Sequence, residues 1–191
     1  YSDYNKRVPA PYIRGSFDLK KCPKTAEITI TALGFYDLYV NGTRITKGIL
    51  APYISNPEQV VVYDNYDIVS YLHTGKNVIG VILGNGFTNN FGGAPWDFEK
   101  SSFRAAPKTA FCVSTEKPLK WAPSPILWDD YREGEVYDAR REIAGWNLPD
   151  FDDSEWAETI SAPSPSGRCL LADTEPIREY KKRKAVRIIP L

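Results

Sequence analysis

Six carboxylates fall between residues 129 and 142: Asp129, Asp130, Glu133, Glu135, Asp138 and Glu142. Glycoside hydrolysis needs two carboxyl groups flanking the scissile bond, at a separation that sets the stereochemical outcome. This stretch supplies the residue type in excess but not the geometry. Acid and base must reach a sugar from opposite sides, and a single strand does not easily turn two carboxyls toward each other. The reading held beside it is electrostatic: Glu135 and Asp138 pair with Arg140, Arg141 or Arg132 and brace the domain.

A second set of residues suits binding rather than catalysis. Sugar recognition needs an aromatic platform for the apolar face of the ring and amide or carboxylate groups for its hydroxyls. Phe87 and Trp96 are candidate platforms, and Asn85, Asn89, Asn90 and Asp97 are candidate hydrogen-bonding partners. The same rings could equally pack the loop or dock on a neighbouring domain. Aromatic residues make up 13% of the chain, with 12 Tyr and 5 Trp. That content suits a carbohydrate-binding protein, although β-sandwich cores are rich in aromatics for their own reasons.

Other catalytic sets are missing their members. His73 is the only histidine and lies in the turn Tyr71-Leu-His-Thr-Gly75. No Gly-x-Ser-x-Gly elbow is present to supply a nucleophile. One histidine with the scattered Cys22, Cys112 and Cys169 makes no zinc pattern. Cys22 and Cys112 sit in or beside apolar strand patterns and are expected as buried free thiols. Gly84-x-Gly86 is too short for a dinucleotide fingerprint and has no βαβ unit around it. Asn41-Gly42-Thr43 fits a glycosylation sequon, but a hairpin turn accounts for it better.

The elements that would position these residues read as strands. Tyr12 to Leu19 is a first strand, and Ala26 to Leu33 alternates with Ile28, Ile30 and Ala32 on one face. Leu38 and Val40 alternate with Tyr39 before Asn41-Gly42, a dipeptide that tolerates positive φ in a type I′ turn. Val60 to Tyr63 follows a Pro-punctuated loop. Val78 to Leu83 is apolar on both faces, as a buried central strand must be. It ends in Gly84-Asn85-Gly86, a chain reversal. Residues 84–108 form a long aromatic-rich loop of the binding type, and Thr109 to Ser114 resumes a strand. Trp121 to Trp128 is Pro-rich and extended, and Gly134 to Glu142 alternates as a strand. Asp152 to Trp156 reads as a short capped helical turn. Helical periodicity longer than two turns is absent, so the architecture is all-β, of the sandwich type.

Bulk properties narrow the partners. The 191 residues hold 24 basic and 24 acidic side chains, so charge favours neither nucleic acid nor an anionic membrane. The run Lys181 to Lys184 is expected as a solvated linker. No apolar run is long enough for a membrane span. A first residue Tyr1 and a chain without methionine are expected of a piece cut from something longer.

Taken in order, several pieces form a recognisable set. They are Ala10-Pro-Tyr-Ile-Arg14, Gly34-Phe-Tyr-Asp-Leu-Tyr-Val-Asn-Gly42, Leu50-Ala-Pro-Tyr53, Tyr66-Asp-Ile68 and Gly84-Asn-Gly-Phe87. Later come Pro123-Ser-Pro-Ile126, Tyr131 to Arg140 and Gly145 to Trp156. This order resembles the N-terminal β-sandwich domain of bacterial α-L-rhamnosidases, from about Ala10 to the end of the chain. The Phe-Asp-Asp-Ser-x-Trp stretch also resembles the entry of galactose-binding-like jelly rolls.

The resemblance implies a loose segment 1–9, a β-sandwich over 10–160, and a linker with the first strand of a next domain over 161–191. It implies a non-catalytic accessory domain whose catalytic carboxylates lie in an (α/α)₆ barrel encoded downstream, so no family catalytic residue maps onto this chain. Partners would be that barrel, other β-domains of the same polypeptide and rhamnose-containing carbohydrate. A periplasmic or extracellular bacterial setting is also implied. Some sandwich modules of this kind bind rhamnose through calcium. Asp64, Asn65 and Asp67 are candidate ligands by residue type, as are Asn89, Asn90 and Asp97. Where relatives often carry Trp after Gly86, this chain has the smaller Phe87.

Overall fold

The computed structural model describes residues 9–86, 118–130, 134–160, 164–184 and 186–187. Strands β1 (Pro11–Leu19), β2 (Glu27–Ile30), β3 (Phe35–Val40), β4 (Thr43–Arg44), β5 (Val60–Asp67) and β6 (Gly75–Gly84) come first. They are followed by β7 (Lys120–Pro123), β8 (Ile126–Asp130), β9 (Gly134–Tyr137), β10 (Ala157–Glu158) and β11 (Arg168–Leu171). The only helical elements among the described residues are 3₁₀ turns at Val69–Tyr71 and Ala139–Arg141. The all-β expectation is met.

Two sheets make the sandwich. The larger runs β10-β7-β1-β6-β3-β4, the smaller β11-β5-β2, and β8 with β9 forms a separate hairpin. Strand alternation sends Tyr36, Leu38 and Val40 of β3 and Ile79, Val81 and Leu83 of β6 to one face. There they meet Ile28 and Ile30 of β2 and Tyr66 of β5 in a single core. Ile28, Ile30 and Ala32 are all buried, as their spacing predicts.

The turn after β3 follows from its residues. Asn41 and Gly42 take φ of 48° and 85°, the paired positive values of a type I′ turn. The Asn41 side chain is committed there: its oxygen accepts from the Val78 N–H at 2.8 Å and its amide donates to the Tyr71 carbonyl at 2.8 Å.

β6 lies between β1 and β3, and its burial on both faces has two sources. One face is the core. Over the other lies the segment Gly145 to Trp156. Trp146 stacks on Tyr12 at 4.3 Å between ring centroids and meets Tyr39 edge-on at 5.5 Å. Gly80 permits this, because a Cβ there would stand 2.8 Å from the Trp146 ring. Arg14 pins the segment. Its side chain is fully buried, ion-paired with Asp153, bonded to the Leu148 carbonyl at 3.0 Å and stacked 5.2 Å from the Phe151 centroid.

Several expectations change. Cys22 is exposed, not buried, because it falls just past the bend that leaves β1. The strand expected over Gly134 to Glu142 stops at Tyr137, where Asp138 caps the 3₁₀ turn by accepting from the Arg140 N–H. Residues 152–156 form a turn without a helix, with Asp152 accepting from the Ser154 N–H at 3.0 Å. The stretch after residue 160 does more than link: β11 pairs in parallel with β5, and Ile177 bridges Ile49. Cys112, the strand Thr109 to Ser114 and most of the 84–108 loop lie outside the described residues.

Candidate functional site

The outward face of the larger sheet is covered at one end by Trp146 and open at the other. Paired residues of β3 and β6 share this face: Tyr39 with Gly80, Asp37 with Ile82, Phe35 with Gly84. Beyond Gly80 the cover ends, and a cleft of about 300 Å³ opens between these strands and the β8–β9 hairpin. Phe35 and Ile82 form its floor, Leu50 its rim, and Asp37, Asp129 and Glu135 bring carboxylates to it. That volume is at the small end for ligand pockets.

Glycine chemistry builds the end of the cleft. The chain reverses after β6 at Gly86, with φ 54°. Gly34 crosses so closely that a Cβ on it would lie 2.0 Å from the Gly84 carbonyl oxygen. Only a residue without a side chain fits that crossing. Asn85, between them, is 1% exposed. Its backbone N–H donates to Asp129 Oδ1 at 2.6 Å, and its side-chain amide donates to the Asp129 carbonyl at 2.8 Å and to Oδ2 at 3.1 Å. The carboxamide therefore ties the reversal to β8, and the carboxylate of Asp129 is held from behind.

The acidic stretch divides by position. Asp129 and Glu135 are register partners on β8 and β9, so their side chains leave the hairpin on one face, side by side. Burial, and then the charge of Asp129, raises the Glu135 carboxyl above its ordinary value. Asp138 pairs with Arg140 at 2.8 Å and Arg141 at 3.6 Å, as the bracing reading expects. Glu135 is the register partner of Asp129, and its other expected partner, Arg132, lies outside the described residues. Glu142 accepts from the Tyr137 hydroxyl at 2.6 Å, which pushes that phenol up to about 12. Asp37 is bound by Arg44 Nε at 2.8 Å. Asp37 belongs to the β3 wall of the cleft, and Asp129 and Glu135 to the hairpin wall; Glu133 and the side chain of Asp130 lie outside the described residues.

The calcium candidates on β5 do not gather. Alternation turns Asp64 inward and Asn65 outward. Asp64 accepts from the Tyr36 hydroxyl at 2.6 Å, Asn65 from Thr29 Oγ1 at 2.7 Å, and Asp67 from the Val69 N–H at 3.0 Å. Calcium takes six to eight oxygens around one point, and these three side chains do not fit it. Among the described residues no three His, Cys, Asp or Glu side chains are grouped for a metal. Phe87, Asn89, Asn90, Trp96 and Asp97 lie outside the described residues.

Sequence reasoning missed Phe35, Asp37 and Leu50 as cleft residues. A signal existed for Asp37, an acidic residue flanked by apolar positions in an alternating strand. None existed for Leu50, whose φ of 56° is unusual for a leucine and depends on the loop around it.

Comparison with known proteins places the chain. The family model described as the alpha-L-rhamnosidase N-terminal domain matches residues 21–181. An alpha-L-rhamnosidase of Formosa agariphila is 30% identical over 90% of this chain and 20% of its own length. The solved alpha-L-rhamnosidase from Dictyoglumus thermophilum superposes with a TM-score of 0.73 at 36% identity, covering 91% of this chain and 20% of that one. The Streptomyces avermitilis enzyme, solved with L-rhamnose, gives a TM-score of 0.70 at 28% identity, covering 84% of this chain and 17% of that one. The chain spans about a fifth of the length of the relatives it matches.

Proposed function

Since the chain belongs to the alpha-L-rhamnosidase N-terminal domain family, we propose that it is a non-catalytic accessory β-sandwich of a longer α-L-rhamnosidase. The single observation carrying this reading is coverage: a family match over 21–181 that accounts for only about a fifth of the relatives. Hydrolysis of terminal α-L-rhamnose would then belong to an (α/α)₆ barrel in the remaining length, with this sandwich supporting it. Within the 129–142 stretch, carboxylate placement supports the same reading. Asp129 and Glu135 stand side by side on one hairpin face, whereas glycosidic cleavage needs groups on either side of the bond.

An aryl α-L-rhamnoside offered to the 191-residue chain tests this directly. No turnover above background is expected, and measurable turnover refutes the reading in favour of a self-contained glycosidase using the 129–142 carboxylates.

A second role has its own support. The open cleft joins an aromatic floor at Phe35 to carboxylates at Asp37, Asp129 and Glu135, the mixture that pyranose recognition uses. Phe87, Asn89, Asn90, Trp96 and Asp97 follow β6 in the sequence and lie outside the described residues. We therefore assign rhamnose-containing glycans to this end of the sandwich. Calorimetric titration with L-rhamnose, with calcium and then with chelator, is the test. Saturable heat lost in Trp96→Ala, Phe87→Ala or Phe35→Ala at unchanged stability supports a sugar site. No heat at millimolar sugar leaves the domain a structural brace.

A further inference from the structure

Among the described residues, the last backbone tie between the C-terminal segment and the sandwich is at Ile177, whose carbonyl accepts from the Ile49 N–H at 2.9 Å. From Arg178 to Lys184 the chain takes neither strand nor helix and every residue is exposed. No backbone hydrogen bond holds this run to the sandwich among the described residues.

Its composition is one-sided. Between residues 178 and 187 stand six cations, Arg178, Lys181, Lys182, Arg183, Lys184 and Arg187, against one carboxylate, Glu179. The chain as a whole is neutral, so the sandwich that carries the run is net acidic. The open cleft shows that sign, with Asp37, Asp129 and Glu135 in its lining. Charge is therefore segregated along the chain, and a cluster of cations within a Debye length of one another acts on a ligand as a unit.

The fold makes little use of these cations. Arg178 pairs with Glu175 and Lys182 with Glu179 at 3.0 Å, exposed contacts three residues apart that contribute little. Lys181, Arg183, Lys184 and Arg187 have no ion pair among the described residues. A cation that braces the sandwich reaches one of its acids, as Arg14 and Lys120 reach Asp153. Tyr180 stands in the same run at 99% exposure. A ring wholly in water adds nothing to the core, and both its faces are open to the C–H face of a pyranose.

We propose that this run is a binding site for an acidic polysaccharide, one that carries carboxylate or sulfate groups along its length. Successive anionic groups take up the unpaired cations and release counterions, and Tyr180 packs on a sugar ring between them. The acidic cleft repels such a ligand, so the domain meets neutral sugar at one site and anionic sugar at the other. The choice of a glycan rests on the accessory reading above, since a module of a glycosidase works against carbohydrate.

Biolayer interferometry of the 191-residue chain on immobilised polygalacturonate and dextran sulfate, with dextran and duplex DNA alongside, tests it. At least one acidic polysaccharide should bind, the tighter one identifying the anionic group, and dextran should not. Affinity should fall at least about tenfold between roughly 50 and 200 mM salt. Lys181→Gln, Arg183→Gln and Lys184→Gln combined should weaken binding at least about tenfold, and Tyr180→Ala should weaken it while leaving the salt dependence in place. Neither variant should shift the melting temperature. Failure of both acidic polysaccharides to bind, undiminished binding by either variant, or duplex DNA held more tightly than both overturns the proposal. A triple variant that loses binding only because its melting temperature falls assigns the run to the fold and overturns it too. Rhamnoside turnover by the 191-residue chain would sink the accessory reading and leave these binding outcomes unchanged.

Discussion

Arg14→Met isolates the interaction that holds Gly145 to Trp156 on the sheet. The guanidinium is fully buried and bonds Asp153 and the Leu148 carbonyl. Removing one member of a buried pair costs roughly 3–5 kcal/mol, because the other charge is stranded. Three features lower that figure here. Asp153 is 22% exposed and keeps Lys120 at 3.1 Å. Methionine refills most of the apolar stem. Arg14 Nε is itself a buried donor without a partner among the described residues, so its loss removes a cost. We expect about 2–3 kcal/mol for Arg14→Met, from the buried-pair range so reduced. Asp153→Ala strands the fully buried cation and should cost about 3–5 kcal/mol. At roughly 2–4 °C per kcal/mol for a domain of this size, the melting point falls by about 4–12 °C in the first variant. Urea unfolding at neutral pH measures both. A loss below about 1 kcal/mol in Arg14→Met, or a milder Asp153→Ala than Arg14→Met, would refute the reasoning.

Gly34→Ala should abolish or severely weaken folding, since its methyl would meet backbone oxygen at 2.0 Å; a soluble variant with an unchanged melting curve contradicts that. Asn41→Ala loses both the positive-φ preference and the bonds to Val78 and Tyr71, and should destabilise by about 2 kcal/mol in chemical denaturation. Alkaline pH should unfold the chain through its tyrosines. Burial, and then Glu142, push Tyr12 up to about 12, and burial raises Tyr36 and Tyr66 as well. Their neutral forms are favoured in the fold, so this stability is complete below the unfolded value near pH 10 and is lost as pH climbs toward 12. Urea midpoints that stay flat between pH 9 and pH 11.5 would contradict it.

Much of this fold is local, and local chemistry is written in sequence. Asn41-Gly42 determines its turn because few other dipeptides tolerate positive φ twice. The alternation of Ile28 with Ile30, and of Leu38 with Val40, assigns their inward faces before any partner strand is known. The uninterrupted apolar run of β6 announces two covers without naming them. Which cover lies outside is a tertiary decision: Trp146 is distant in sequence, and it lies over Gly80 by stacking on Tyr12 while Arg14 holds Asp153 of the same segment.

The site depended still more on packing. Asn85 reads as a sugar ligand by residue type, yet a buried amide must be satisfied, and Asp129 satisfies it. Asp64, Asn65 and Asp67 look like a ligand cluster in one dimension, and pleating divides them between two faces. Residues 168–171 look like linker, because nothing in their own pattern announces a parallel partner; β5 supplies it from far back along the chain. Residue type and spacing determined the all-β class and the Asn41-Gly42 turn, and the order of the motifs carried the resemblance to the family. Only the assembled sheets decided which polar groups are consumed by the fold, because hydrogen-bond satisfaction is settled between elements and not within them.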